Sequence, residues 1–381
     1  MTASPVRVLR RIRSFLGSAV RELGVHLEAI RIDRLRPTVL ILPSQGPEDG
    51  AANLRGYLVA TRLRTRGWNA FTCPKHLRLG QRSRVIRHLK PDVLLMQTAR
   101  HPLNRPDLYP SIPVVFDLDD ADYLDERVGP AVDHALQGSR AVIAGSRSVA
   151  DYCRRHNDDV TVVWTGSPVS DEPFKPQRDR RPIVAWAASC PVGSPHEAAF
   201  LAEVISALSK RGQDFEFWIY ADDGTDAYKR LVRRFEEAGA RVRAHKFLSY
   251  ADYLASLNET AVGLAPLVDV AGFSGGKSFG KVLAYLDRGV PVVTHPVVDH
   301  PHFFRNGATG FMAETPGDWA DHIARLLGDA GERQRVAEAA HLDFERRLTV
   351  DESAARVDAV LRRITGTPDR RSDAPTLGES P

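Results

Sequence analysis

Between Pro37 and Thr294 the sequence alternates short apolar runs with amphipathic stretches, and this rhythm constrains the fold more than any other feature. Runs at 37–43 (PTVLILP), Trp68–Thr72, 91–97, Ile112–Phe116, Ala141–Ala144 and Val160–Trp164 have the length and the Val/Ile/Leu content of buried strands. Helical patterns lie between them, from about Asn53 to Arg66, Ser83 to Leu89 and Ser146 to Asn157. A stretch with four prolines, 165–182, lacks periodicity and reads as a linker. The rhythm then resumes with strands at Ile183–Ala187, Phe215–Tyr220, Arg241–Phe247, Ala261–Leu267 and Val290–Thr294, and helices at Glu197–Lys210, Tyr228–Ala238 and Tyr250–Leu257. Such alternation predicts parallel, doubly wound α/β sheets. The expected organisation is a basic lead at 1–36, Rossmann-like domains at 37–168 and 180–348, a terminal helix at 349–365 and a disordered tail at 366–381.

A chain of 381 residues can bury two full cores. No run approaches 18 apolar residues, so no membrane-spanning helix is expected, and arginines interrupt each apolar run near the start, which argues against a signal peptide. Cys73, Cys153 and Cys190 are widely spaced, which suggests a reducing cytoplasm and no structural zinc. The net charge of +4 conceals an asymmetry: residues 1–110 carry 20 Lys and Arg against 7 Asp and Glu. No zinc-finger, helix-turn-helix or RNA-binding signature accompanies that charge, so nucleic acid is not the expected partner. An anionic membrane surface or a phosphorylated acceptor suits it better. In the lead, Val8, Leu9, Ile12, Phe15, Leu16 and Val20 share one helical face, with Arg7, Arg10, Arg11 and Arg13 beside them. This is the pattern of a helix lying on anionic lipid, and equally of a helix packed on the first domain.

Ala271–Thr294, AGFSGGKSFGKVLAYLDRGVPVVT, concentrates the chemistry of the second half. Gly272, Gly275 and Gly276 follow a strand; Lys277 and Ser278 come next; apolar spacing at Phe279, Val282, Leu283 and Leu286 predicts a helix of about ten residues. Arg288-Gly289 closes it as a glycine C-cap would. Free loop amides, a helix N-terminus and a lysine together predict a phosphate-bearing ligand. The loop also satisfies a loose P-loop pattern over Ala271–Ser278, but too little sheet follows it for that fold. His300 and His302 read as surface histidines, since no third ligand at metal spacing accompanies them.

In doubly wound sheets, ligands bind beyond the C-terminal ends of the strands. In the first half this selects the loops at Ser44–Asn53, Gln97–Leu103, Asp117–Asp125 and Ser146. They hold His101 and the carboxylates of Asp117, Asp119, Asp120, Asp122 and Asp125. The DLDD string admits a metal-binding DxD, a phosphatase-type aspartyl nucleophile, or a solvated acidic loop.

Lys277-Ser278, Lys281, Tyr285 and Gly289-x-Pro-Val-Val resemble the KS-x-x-K-x-x-E-Y-x-x-x-G-x-PVV segment of nucleotide-sugar glycosyltransferases of the GT-B fold. The likeness continues through Asn306-Gly-Ala-Thr-Gly-Phe311 and the helices after it, covering 180–365 well and 38–170 more loosely. It implies two Rossmann-like domains facing across a cleft and transfer of a sugar from a nucleotide diphospho-sugar to a glycan or glycolipid, with retention of configuration and without a metal or other cofactor. By the same likeness, Ser189, Phe247, Gly276, Lys277, Ser278, Lys281 and Tyr285 would bind the donor. His101 and Asp117 would lie nearest the chemistry, and Asn53, Asp119 and Asp120 on the acceptor side. Partners would be the donor, a glycan or lipid-linked acceptor and an anionic membrane reached through residues 1–36. The family's ribose-binding Glu is Ala284 here, with Asp269 the substitute nearest in the chain. A non-catalytic GT-B-like scaffold in a membrane-associated complex is the alternative that this departure keeps open.

Overall fold

The computed structural model describes residues 5–269, 271–277 and 279–368, with the side chains of 5–16 and of Arg31 outside that description. Two compact units are present; the first holds the residues up to Gly145, Val149–Val163 and those from Ser353 on, and the second holds Ser146–Ser148 and Trp164–Glu352.

The first unit is built on six strands: β1 (Thr38–Leu42), β2 (Asn69–Thr72), β3 (Val93–Gln97), β4 (Val114–Leu118), β5 (Ala141–Ala144) and β6 (Val160–Val162). Their order is β2-β1-β3-β4-β5-β6 and every neighbour is parallel. β1, β3, β4 and β5 are buried along their whole length. Helices cover both faces of such a sheet, which is why these strands read as unbroken apolar runs. The helical pattern expected from Asn53 is interrupted: a π-turn at Asn53–Tyr57 precedes the α-helix Leu58–Thr65. The extra residue rotates Arg55 inward, where it is 6 % exposed. The last helix, Val350–Thr365, ends on this unit. There Asp358 accepts the Trp68 indole N–H at 2.6 Å, and the Arg362 guanidinium lies over the Trp68 ring at 5.6 Å.

The second unit has β7 (Ile183–Trp186), β8 (Glu216–Asp222), β9 (Arg241–Lys246), β10 (Val262–Ala265), β11 (Val292–Thr294) and β12 (Phe311–Met312). These strands are also all parallel, in the order β12-β11-β10-β7-β8-β9. Its core joins Trp186, Phe217, Phe235, Trp319 and Ile323, with helices Pro195–Lys210 and Pro316–Gly328 packed on the sheet.

Two expectations change. The proline-rich 165–182 segment, read as a linker, belongs to the second unit and is pinned there: Arg180 is buried and donates to the carbonyls of Thr260 and Arg288, and Ser170 is held by Asp287. Burial, with Arg288 and Arg333 nearby, lowers the Arg180 pKa to about 9. Prolines there mark irregular backbone pinned by side chains, not freedom. His300 is also not a surface residue; it is 1 % exposed and its Nδ1 meets the Thr294 hydroxyl at 2.6 Å, while His302 is exposed. The disordered-tail expectation for 366–381 falls mostly on residues outside those described.

Gly289 has φ +58°, and a Cβ there would stand 2.6 Å from the Phe174 ring. Gly289→Ala is therefore expected to lower stability by about 1–3 kcal/mol, read as a lower urea midpoint with an unchanged m-value.

Candidate functional site

In the second unit the strand order reverses between β7 and β10. The loops leaving these two strands diverge, and the gap between them is the ligand crevice of a doubly wound sheet. Residues 187–194 form one side, and residues 266–269 and 271–277 the other.

Tyr285 sets the spacing beneath that gap. Its ring lies on Gly263, where a Cβ would come within 2.8 Å. Its hydroxyl donates to the Ala185 carbonyl at 2.9 Å and accepts the Ala187 N–H at 2.8 Å. Burial raises its pKa well above the ordinary tyrosine value. Tyr285 is fully buried, so it braces the end of β7 and does not reach a ligand as expected.

The Gly-rich loop is held by three anchors. Asp269 Oδ1 accepts the Gly272 N–H at 3.0 Å, and a Cβ on Gly272 would sit 1.9 Å from that carboxylate. Ser274 Oγ donates to buried Glu197 at 2.7 Å. The Gly276 carbonyl accepts from Ser146 Oγ at 3.0 Å. Burial pushes the Glu197 pKa up, but Ser274, the residue's own amide and the charge of Lys281 bring it below the usual value. Lys277 Nζ lies 4.7 Å from the centre of the Phe273 ring, and Lys281 is half-buried. His295 closes the floor: its Nδ1 accepts the Leu267 N–H at 3.2 Å, its ring packs against Phe200 and Trp319, and burial lowers its pKa to about 4.

The helix expected directly after this loop is displaced. A 3₁₀ turn covers Phe273–Gly276, and the α-helix runs only from Leu283 to Asp287. Gly275, Gly276 and Gly280 disfavour helix, and Ser274, the natural cap, is committed to Glu197. The anion site expected here therefore lacks the helix N-terminus that was part of the expectation, and the Gly272, Gly275 and Lys277 amides are bonded within the loop itself. This also removes the P-loop reading, in which a long helix starts at the Lys-Ser pair. Ser278 lies outside the described residues. Ser189 is exposed on the β7 loop, and Phe247 is 82 % exposed at the end of β9 beside half-exposed Tyr250. Ala284 is buried, and Asp269 is already bonded to Gly272.

In the first unit the order reverses between β1 and β3. Asp117, at the end of β4, is 3 % exposed and receives Arg55 Nε at 3.0 Å. Arg55 Nη1 also donates to the Val163 carbonyl at 2.8 Å and lies 3.4 Å from Asp119. Burial opposes the Arg55 charge, and Asp117 and Asp119 more than restore it. Burial raises the Asp117 pKa against the pull of Arg55. Arg100 pairs with Asp122 and lies 3.7 Å from Asp120. The acidic string is therefore neutralised by arginines, which corrects both the DxD and the solvated-loop readings. His101 is committed as well: its Nδ1 accepts the Leu103 N–H at 3.0 Å, and its Nε2 meets the Lys75 carbonyl at 2.9 Å. Burial and Arg82 lower its pKa. Both residues expected nearest the chemistry are thus bound up in their own unit. Asn53 is half-buried in the π-turn, two residues from Arg55. Among the described residues, no group of three or more His, Cys, Asp or Glu is placed to hold a metal ion.

Sequence reasoning missed Arg55, Arg100, Glu197 and His295. Arg55 and Asp117 are 62 positions apart, and no local signal links them. Glu197 was visible as an acidic residue in a first helical turn, a position that usually needs no partner beyond the helix amides.

Residues 198–359 match a family model described as glycosyl transferase-like. No curated protein matches the sequence. Among solved structures, HepE from Anabaena in complex with UDP and glucose matches with a TM-score of 0.64 at 16 % identity, covering 86 % of this chain and all of that one. Sucrose-phosphate synthase from Thermosynechococcus elongatus matches at 0.66 and 14 % identity, covering 87 % of this chain and all of that one. A glycosyltransferase from Rickettsia africae matches at 0.67 and 10 % identity with the same coverage. At these identities the structural likeness establishes the fold.

Two outcomes follow from the geometry. Arg55→Met leaves Asp117 buried and unpaired, at a cost of about 3–5 kcal/mol. Adding Asp117→Leu should recover most of that in a double-mutant denaturation cycle. For His295, the folded pKa of about 4 lies below the ordinary 6.5. The unfolded chain takes the proton first, so stability falls as pH drops from 6.5 towards 4, by about 3 kcal/mol. His295→Gln should flatten that part of the stability–pH curve.

Proposed function

We propose that this chain, a glycosyltransferase of the GT-B fold, moves a sugar from a uridine diphosphate donor to a hydroxyl of a glycan or lipid-linked glycan. The observation that carries the reading is the Gly-rich loop with Lys277, at the point in the second sheet where strand order reverses, within the segment matching the glycosyl transferase-like model. Asp269, Glu197 and Ser146 hold that loop before any ligand arrives. Preorganised donors beside a departing diphosphate act on charge that grows in the transition state, so they accelerate the step itself. Lys277 and Lys281 supply that positive charge in this reading, with Ser189, exposed on the β7 loop, as a further donor contact. Phe247, with its ring exposed at the end of β9, offers an apolar face to the nucleobase. UDP is chosen because HepE, a protein of the same fold, is solved with UDP and with UDP-glucose.

The transfer is read as retaining and metal-independent. In support, Asp117 and His101 are already bonded within the first unit and are not offered as a general base. The acceptor is assigned to the strand ends of the first unit, near Asn53, Asp119 and Asp120, in a protein located in the cytoplasm on an anionic membrane face. No described helix is long and apolar enough to cross a membrane. A scaffold reading rests on one observation, the buried Ala284 at the ribose-binding position.

Thermal denaturation with UDP, GDP and ADP, followed by donor turnover, separates the two. UDP at 100 times its Kd should stabilise by about 2.7 kcal/mol. Lys277→Ala should lose most of that and lower kcat/KM for transfer about 100-fold. A folded protein that neither binds nor turns over any nucleotide-sugar would leave the scaffold reading standing.

A further inference from the structure

The first unit carries an apolar surface that its own core does not use. Helix Pro5–Glu28 and the turn Ala29–Arg31 bury one stripe, Ser18, Glu22, Val25 and Ala29. That stripe is fastened to helix Leu79–Leu89, where Glu22 accepts from Arg84 at 2.7 Å and Gln81 at 2.9 Å. A second stripe stays in solvent: Val20 is 68 % exposed, Leu23 56 %, Leu27 56 % and Ile30 76 %. Positions 20, 23, 27 and 30 fall on one helical face, about 15 Å long, and exposed Leu35 lies just beyond. Single exposed leucines are ordinary; a continuous face of them marks an interaction surface.

The surrounding charge selects the partner. Arg21, Arg34 and Arg36 are exposed around the stripe. Each neighbouring carboxylate is already paired: Glu22 with Arg84, Glu28 with Arg64, and Asp33 with Arg36. The same helix contains Arg7, Arg10, Arg11 and Arg13 and has no acidic residue before Glu22. Beside it, burial and then the charges of Arg21 and Lys75 lower the His76 pKa, consistent with positive potential on this side. An apolar helical face flanked by cations matches the boundary between headgroups and acyl chains of an anionic bilayer. A second copy of this surface would bring like charges together.

We propose that residues 17–36 seat the first unit on an anionic lipid surface, with Val20, Leu23, Leu27 and Ile30 entering the interface while the opposite stripe stays packed on Gln81 and Arg84. The helix lies in the plane of the bilayer surface. This deepens the reading of a lipid-linked acceptor and rests on it for its purpose, not for its physics.

The test uses the full chain in co-sedimentation with phosphatidylcholine vesicles with and without phosphatidylglycerol. Binding should require the anionic lipid, weaken with added salt and fall by about tenfold or more in Leu23→Ser/Leu27→Ser. Because both leucines are exposed, the variant should melt like the parent and keep its turnover of a water-soluble acceptor. Equal vesicle binding by parent and variant, or none by the parent, overturns the proposal. A dimer seen by light scattering in the parent and lost in the variant would assign the stripe to a second copy instead. No turnover in either protein, with anionic-vesicle binding by the parent and its loss in the variant, would count against the enzyme reading and leave the lipid surface standing.

Discussion

Both sheets are parallel, their central strands are buried along their whole length, and most of the chemistry follows from that constraint. A strand covered on two sides has no room for polar side chains along its length. Polar and charged groups therefore collect where strands end, and among the described residues the strand order reverses between β7 and β10 and between β1 and β3, where the loops open a crevice. Tyr285 shows how tightly this is enforced, since one hydroxyl satisfies both the last carbonyl and the first free amide at the end of β7.

The two units handle charge at their strand ends differently. In the first, carboxylates gather in one loop and are answered by arginines from other elements, Arg55 to Asp117 and Arg100 to Asp122. A buried pair of this kind adds little net stability compared with an apolar replacement, but it is costly to break. Its effect here is to fix the ends of β4 and the π-turn relative to one another. In the second unit a single buried carboxylate, Glu197, accepts from Ser274 of the Gly-rich loop, with the charge of Lys281 near it. A loop that lacks a long helix behind it keeps its shape through side-chain anchors, here Asp269, Glu197 and Ser146.

The sheet architecture was largely legible in the sequence. Buried parallel strands leave continuous apolar runs, so β1, β3, β5, β7 and β10 stand out within a residue or two of their observed ends. The Gly-rich loop and Lys277 were legible because their chemistry is local. The site's supporting contacts were not. Apolar spacing at Phe279, Val282, Leu283 and Leu286 reads as one helix after Gly276, yet Phe279 and Val282 are buried in irregular backbone and only Leu283 and Leu286 lie in the short helix. Spacing reports which residues face the core, and it does not separate a helix from a turn that buries the same residues.

What the sequence by itself determined is therefore what depends on neighbours in the chain: strand periodicity, the glycine turn at Gly289, and the basic, apolar character of the first 36 residues. What only the tertiary structure decided is which polar groups are already bonded. Asp117 and His101 looked available because a sequence shows a side chain without its partner. Arg55 arrives from 62 positions away, and the carbonyl of Lys75 from 26. Whether a carboxylate or an imidazole is free for chemistry depends on such long-range pairs, and burial makes them obligatory, because a charge or a polar group removed from water must find a partner inside the protein.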